Sequence, residues 1–147
     1  MHALLIRSGV AGLVAASLFA FAPAAFAQAV TYKAALTAAA QVPPNDSKGT
    51  GALQATYDPA TKKLTYTVNY KDLSGPATAA HFHGPADAKT SAGVLVPVTG
   101  AVVSPIKGEA TLTDAQAADL AAGKMYFNIH TAANKGGEIR GQVMKGM

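Results

Sequence analysis

Apolar and polar residues alternate along most of the chain, in short segments that are separated by Gly, Pro, Asn and Asp. The clearest segment is 64–70, where Leu, Tyr, Val and Tyr take every second position and Thr, Thr and Asn lie between them. Because successive side chains of a strand point to opposite faces, this segment predicts a half-buried β-strand. The same pattern predicts further strands at 31–36, 51–57, 78–83, 94–98, 101–103, 124–131 and 138–144.

One segment departs from this alternation and predicts a short α-helix at about 113–122. Thr113 and Gln116 form a capping-box pair, alanines supply helix propensity, and Gly123 stands where a left-handed residue ends a helix. A single helix among many short strands and turns predicts an all-β domain. We expect an antiparallel, Greek-key-like β-sandwich or barrel.

The first 27 residues have the three-part pattern of a secretory signal peptide. Arg7 supplies positive charge, an apolar run follows at 9–22, and the small-x-small triplet Ala25-Phe26-Ala27 precedes Gln28. The apolar run is shorter than the roughly 20 residues that a membrane-spanning helix requires. We therefore expect a signal peptide at 1–27, a single domain at 28–147 without a membrane span, and a periplasmic or extracellular location.

Composition and charge exclude several classes of function. The chain has no cysteine, so disulfides and thiolate metal ligands are excluded. Residues 28–147 carry 11 basic and 8 acidic side chains, and the lysines are too scattered to form the basic stripe of a nucleic-acid-binding protein. We find no nucleophile motif and no paired carboxylates of a hydrolase, so we expect no catalytic residues and no enzymatic activity.

The three histidines of residues 28–147 lie in two short motifs, His81-Phe82-His83 and Asn128-Ile129-His130. Residues two apart on a strand share a face, so His81 and His83 point together, and Asn128 joins His130. Neutral imidazole is a good ligand for transition metals. If these strands are neighbours, the sequence predicts a copper or zinc site of three histidines. The alternative is that the histidines are structural and bonded to Asn128, Glu138 or the backbone.

A charged pair lies between glycines in the motif Gly136-Gly137-Glu138-Ile139-Arg140-Gly141. Alternation places Glu138, Arg140 and Gln142 on one face, beside the predicted histidines. Glu138 is therefore a candidate fourth ligand or, like Asn128, a partner that orients an imidazole. We favour the interpretation that Glu138 and Arg140 form a structural salt bridge at the sheet edge.

These motifs together resemble the CHRD (chordin-type) domain, which occurs in chordin and in many exported bacterial proteins. The resemblance implies a compact β domain outside the cytoplasm, in a family for which no general catalytic activity is established. Where the family commonly has Glu before Val-Pro-Pro, this chain has Gln41, so a carboxylate is missing there. The matching segments are 40–44, 64–68, 73–85, Leu120 with Gly123, 126–131 and 136–142.

The leading hypothesis is an exported CHRD-domain binding module that binds copper or zinc through its three histidines. An alternative is a module that binds an envelope or extracellular protein through loops such as Asp87 to Ala92, with structural histidines. A second alternative is a metal-dependent redox enzyme, because His81-Phe82-His83 is similar to the His-x-His strand of copper-zinc superoxide dismutases. The further histidines and the zinc-site aspartate of those enzymes have no counterparts here.

Overall fold

The computed structural model describes residues 28–146, so the expected signal peptide at 1–27 lies outside the described residues. The described part consists of nine strands and one helix. In chain order they are β1 (Val30–Thr37), β2 (Thr50–Asp58), β3 (Lys63–Lys71), β4 (Ala77–His83), β5 (Val94–Pro97), β6 (Ile106–Thr111), α1 (Asp114–Ala121), β7 (Tyr126–Thr131), β8 (Ile139–Gln142) and β9 (Met144–Lys145).

The strands pair antiparallel in one sheet that curls into a nearly closed barrel, which confirms the predicted fold class. Their order is β5-β4-β7-β8-β1-β2-β3-β6, and the short β9 pairs with β1. The chain crosses between the two halves of this sheet after β3, after β5 and after β6. As a result β4 and β7, which are far apart in sequence, become direct neighbours. No helix among the described residues is long and apolar enough to cross a membrane.

Alternate residues of the strands fill the interior of the barrel. Leu64, Tyr66 and Val68 of β3 are buried, as the pattern predicts. Phe82 contacts Tyr66 and Phe127 edge to face, with ring centroids 5.1 Å and 4.8 Å apart. Each such aromatic pair contributes about 0.5–1.5 kcal/mol beyond its buried area. The apolar face of β4 and β7 is therefore fixed in the core, and their polar faces must lie on the other side of the sheet.

The helix begins with the predicted capping box. The Gln116 N–H donates to Thr113 Oγ1 at 3.2 Å, and the Thr113 N–H donates to Gln116 Oε1 at 2.9 Å. Leu120 is buried against the barrel, and Gln116 Nε2 also donates to the Leu95 carbonyl at 3.0 Å. Both contacts hold α1 against the main domain.

Two strand predictions were wrong in position. Residues 101–103 are irregular, with Val103 exposed, and the strand forms later as β6. Gly108 interrupts the apolar pattern of β6, and a side chain there would collide with the Tyr66 ring, which fills that space. The predicted strand 138–144 is divided into β8 and β9 at Val143, which is buried and whose N–H donates to the Met125 carbonyl.

Candidate metal centre

The polar residues of three neighbouring strands lie in register on the outer side of the barrel. Between β4 and β7, His81 pairs with Asn128 and His83 pairs with Tyr126. Between β7 and β8, Asn128 pairs with Arg140. The alternation of polar positions along these strands therefore places imidazole, amide, phenol and guanidinium groups side by side.

The three histidines predicted as ligands are brought together. One ring nitrogen each of His81, His83 and His130 can be chosen such that all lie within 4.8 Å of one another. His81 Nδ1 lies 3.0 Å from His130 Nε2, and His130 Nδ1 lies 2.8 Å from the Lys135 carbonyl oxygen. A carbonyl only accepts, so a neutral His130 carries its proton on Nδ1 and His81 donates to its Nε2.

His83 is the deepest of the three, with 8% of its surface exposed. Its Nδ1 lies 3.0 Å from the Ala92 carbonyl oxygen, and its Nε2 lies 3.0 Å from the side-chain amide of Asn128. The same carbonyl argument places the proton of a neutral His83 on Nδ1. His83 and His130 therefore both present an unprotonated Nε2.

Burial keeps two of these imidazoles neutral. Burial lowers the pKa of His81, and the nearby His130 and His83 lower that pKa further. Burial also lowers the pKa of His83, although hydrogen bonds with Ala92 and Asn128 partly oppose the effect. Neutral imidazoles have the lone pairs that a metal requires, so protons compete weakly for these positions at neutral pH.

Arg140 is a buried cation, with 1% of its surface exposed. Its Nη2 donates to the carbonyl oxygens of Asp87 and Thr90, at 2.9 Å and 2.8 Å. Its guanidinium carbon lies 3.5 Å from the centroid of the Tyr126 ring. Backbone carbonyls and an aromatic face therefore compensate for the water that this charge has lost.

The loop at 84–93 covers the polar face beyond His83. Besides Arg140, Gln142 Nε2 donates to the Ala86 carbonyl at 2.8 Å. Tyr126 Oη accepts from the Ala92 N–H at 3.1 Å and lies 3.2 Å from the Ala92 carbonyl oxygen. Several residues on this face therefore anchor the loop, and the pocket that the sequence predicted is partly filled by the backbone of that loop.

The prediction for Glu138 was wrong: it neither faces the histidines nor pairs with Arg140. Its Oε1 accepts from Ser47 Oγ at 2.5 Å and from the Ser74 N–H at 2.7 Å. Its Oε2 accepts from Thr131 Oγ1 at 2.5 Å. The ion pairs among the described residues are at other, exposed positions. Glu138 precedes β8 and follows Gly137 at φ +118°, so strand alternation does not extend to it.

Glu138 is therefore a buried, ionised carboxylate whose hydrogen bonds join three loops. Burial raises the pKa of its carboxyl group, but hydrogen bonds from Ser47, Ser74 and Thr131 outweigh that effect and lower the pKa from 4.5 to about 2. Asn134 Nδ2 adds a donor at 3.2 Å, and Asn45 Nδ2 donates to the Glu138 backbone carbonyl at 2.9 Å. The loop that supplies the Lys135 carbonyl to His130 is fixed by these contacts.

Sequence reasoning did not identify Gln41 as part of the site. Gln41 is buried, and the side-chain nitrogens of Gln41 and Asn128 both crowd the position that a Cβ at Gly137 would occupy. The pattern gives no signal for this placement, because Gln41 lies in a turn after β1 where no alternation indicates its direction.

The donor set is compatible with a transition metal. Nitrogens that share a tetrahedral zinc ion lie about 3.3 Å apart, since each Zn–N bond is about 2.0–2.1 Å. The observed spread of up to 4.8 Å would need to contract by about 1.5 Å, which side-chain rotation can supply. Three imidazoles without a carboxylate or thiolate suit copper or zinc and not calcium or magnesium.

Comparison with known proteins agrees with this architecture. A sequence model of the CHRD domain matches residues 32–143, which is most of the chain and includes all three histidines. No curated protein and no solved structure matches the chain. Since the match covers the barrel from β1 to Val143, the chain belongs to the CHRD domain family.

Proposed function

We propose that this protein is an exported binding module that holds a copper or zinc ion through His81, His83 and His130. The observation that supports the proposal is the placement of three imidazoles, from β4 and β7, with ring nitrogens within 4.8 Å of one another. None of the three histidines belongs to the apolar core of the barrel.

Two of the imidazoles are already oriented as ligands. A metal-ligating histidine usually donates its other ring N–H to a carbonyl or carboxylate, which fixes the tautomer and the ring orientation. The Lys135 carbonyl does this for His130, and the Ala92 carbonyl does it for His83. Each ring then offers Nε2 to the ion, at little further cost in ordering.

His81 changes its hydrogen bonding when the ion binds. Its Nδ1 now donates to His130 Nε2 at 3.0 Å, and a metal on His130 Nε2 takes the place of that hydrogen bond. His81 is only partly buried, so its ring has room to rotate. The Nδ1 proton of His81 stays in place while the ring turns to present Nε2, or it moves to Nε2 and frees Nδ1.

The proposal is tested by competition titration of zinc and copper against a chromophoric chelator at neutral pH. We expect one ion per chain, and we expect His81→Ala, His83→Ala and His130→Ala each to weaken binding by about 100-fold or more. The matched control is Lys135→Ala, which removes a side chain beside the site but keeps the carbonyl that orients His130. Histidine variants that bind no more weakly than this control would make the histidines structural and favour a protein-binding role.

A further inference from the structure

His83 is held between two groups, and one of them fixes its tautomer. The Ala92 carbonyl can only accept, so the hydrogen bond of 3.0 Å to His83 Nδ1 requires the proton to be on that nitrogen. In a neutral ring, Nε2 then carries no proton and can only accept a hydrogen bond. The amide of Asn128, 3.0 Å away, must therefore present a donor to this nitrogen.

A second observation concerns the other end of the same amide. Gln41 is 6% exposed, and no atom in the described part of the chain accepts a hydrogen bond from its buried Nε2. This nitrogen and Asn128 Nδ2 approach the same point next to Gly137. As placed, Asn128 Oδ1 faces the lone pair of His83, and Asn128 Nδ2, the donor end of the amide, lies on the side of the unpaired Gln41 donor.

A half-turn of the Asn128 amide removes both conflicts, because the two orientations have the same shape. We propose that in the metal-free protein Asn128 donates from Nδ2 to His83 Nε2 and accepts from Gln41 Nε2 through Oδ1. The result is a directional chain of hydrogen bonds, from Gln41 through Asn128 and His83 to the Ala92 carbonyl. Its direction is set at one end by a group that only accepts.

The alternative is a doubly protonated His83 that donates from both nitrogens. The surroundings disfavour that cation. No ion pair among residues 28–146 involves His83. Two other imidazoles lie beside its ring. His83 also stacks on Tyr126, and the Arg140 guanidinium lies on the far face of that ring.

Gly137 makes the chain sterically feasible. A Cβ at this position would strike the side-chain nitrogens of both Gln41 and Asn128, and the backbone there has φ +118°. A glycine therefore leaves the space in which the two amides meet. The two glycines before Glu138 thus have different environments, since a Cβ at Gly136 would meet nothing within 4 Å.

The chain has a consequence for the metal site, which rests on the proposed function. Asn128 occupies the lone pair that His83 offers to an ion, so binding must break this hydrogen bond. Asn128 is then a positioning residue that orients His83 and also competes with the metal. Its removal should strengthen binding by about 2-fold to 10-fold, the net worth of one hydrogen bond.

The first test uses metal-free, ¹⁵N-labelled wild-type protein and the imidazole resonances in NMR at neutral pH. We expect His83 with a proton on Nδ1, an unprotonated Nε2, and a scalar coupling across the hydrogen bond between His83 Nε2 and Asn128 Nδ2. A proton on His83 Nε2, or an unprotonated Nε2 without this coupling, would overturn the proposal.

The second test compares zinc affinity in wild type, Asn128→Ala and the matched control Asn69→Ala, which removes an exposed asparagine amide on β3, a strand that does not pair with β4 or β7. Tighter binding in Asn128→Ala alone supports competition by Asn128. Weaker binding would make Asn128 a ligand and contradict the proposal. If wild type binds no metal, the proposed function fails, and the NMR result still decides whether the chain exists.

Discussion

His83 and Tyr126 stack face to face, with 4.8 Å between their ring centroids and 2° between their planes. The two residues are register partners on β4 and β7, so the stack follows directly from the strand pairing. Arg140 covers the opposite face of Tyr126 and ties the loop at 84–93 to the barrel. His83, the deepest histidine of the site, therefore packs on a ring that Arg140 covers. Its Nδ1 also donates to the Ala92 carbonyl of the loop that Arg140 anchors.

Replacing Arg140 with lysine should loosen the 84–93 loop. Lysine cannot lie flat on Tyr126 while it donates to both Asp87 and Thr90, and its charge would stay buried. We expect a loss of about 2–4 kcal/mol in the free energy of unfolding, measured by urea denaturation. We also expect faster hydrogen exchange at the Ala92 N–H, which donates to Tyr126 Oη. Unchanged exchange in the loop would contradict the anchoring role.

Gly141 should tolerate no side chain. A Cβ there would collide with the carbonyl oxygen of Ala35, because β8 and β1 approach each other closely. We expect Gly141→Ala to destabilise the protein by about 3 kcal/mol or more, since backbone on both sides must move. The control is Gly136→Ala, where the added methyl meets nothing within 4 Å and should change stability by less than about 0.5 kcal/mol. Similar melting temperatures for the two variants would refute the close approach.

Glu138 should account for much of the loss of stability in acid. Its carboxyl pKa falls from 4.5 to about 2 in the folded protein, because hydroxyl and backbone donors outweigh the effect of burial. A lowered folded-state pKa stabilises the fold above pH 4.5, and this contribution disappears as the pH falls towards about 2. The shift corresponds to about 3 kcal/mol at 1.36 kcal/mol per pKa unit.

The check is urea unfolding of wild type and Glu138→Gln between about pH 6 and pH 2. The difference in stability should be largest above pH 4.5 and should shrink as the pH falls. A difference that stays constant through this range would mean that the charge of Glu138 contributes nothing.

The strands were predictable where alternation is regular, as in β3, and not where a residue serves a distant partner. Gly108 in β6 provides space for Tyr66 across the sheet, so the local pattern shows only a gap. Glu138 was misplaced because the positive φ of Gly137 ends the alternation on which its direction was judged. Its donors Ser47 and Ser74 lie 91 and 64 residues away in sequence and give no local signal.

The sequence predicted which residues form the histidine cluster, but not which strands are neighbours or what covers the cluster. Period-two spacing indicated that His81 and His83 share a face, and the same spacing grouped Asn128 with His130. The adjacency of β4 and β7 depends on how the chain crosses the barrel, which periodicity does not determine. The role of the 84–93 loop in filling part of the pocket depends on tertiary packing as well.

Metal affinity should decline in mild acid. Ligation requires neutral imidazole, and burial lowers the pKa of His81 and of His83. A lowered folded-state pKa means that these rings stay neutral below the unperturbed value of about 6.5, so their lone pairs remain available somewhat below that pH. We expect zinc affinity to be nearly constant at neutral pH and to fall only at a pH somewhat below about 6.5, once these rings take up protons. Binding that persists to about pH 4 would point to carboxylate ligands instead.

The most direct test is metal content after equilibrium dialysis of the purified protein against copper or zinc, measured by elemental analysis. Wild type and the triple variant His81→Ala, His83→Ala, His130→Ala should be compared as untagged residues 28–147, which contain no other histidine. Our account predicts one ion per chain in wild type, with a raised melting temperature, and none in the triple variant. Equal metal content in the two proteins, or no bound ion in wild type, would contradict it.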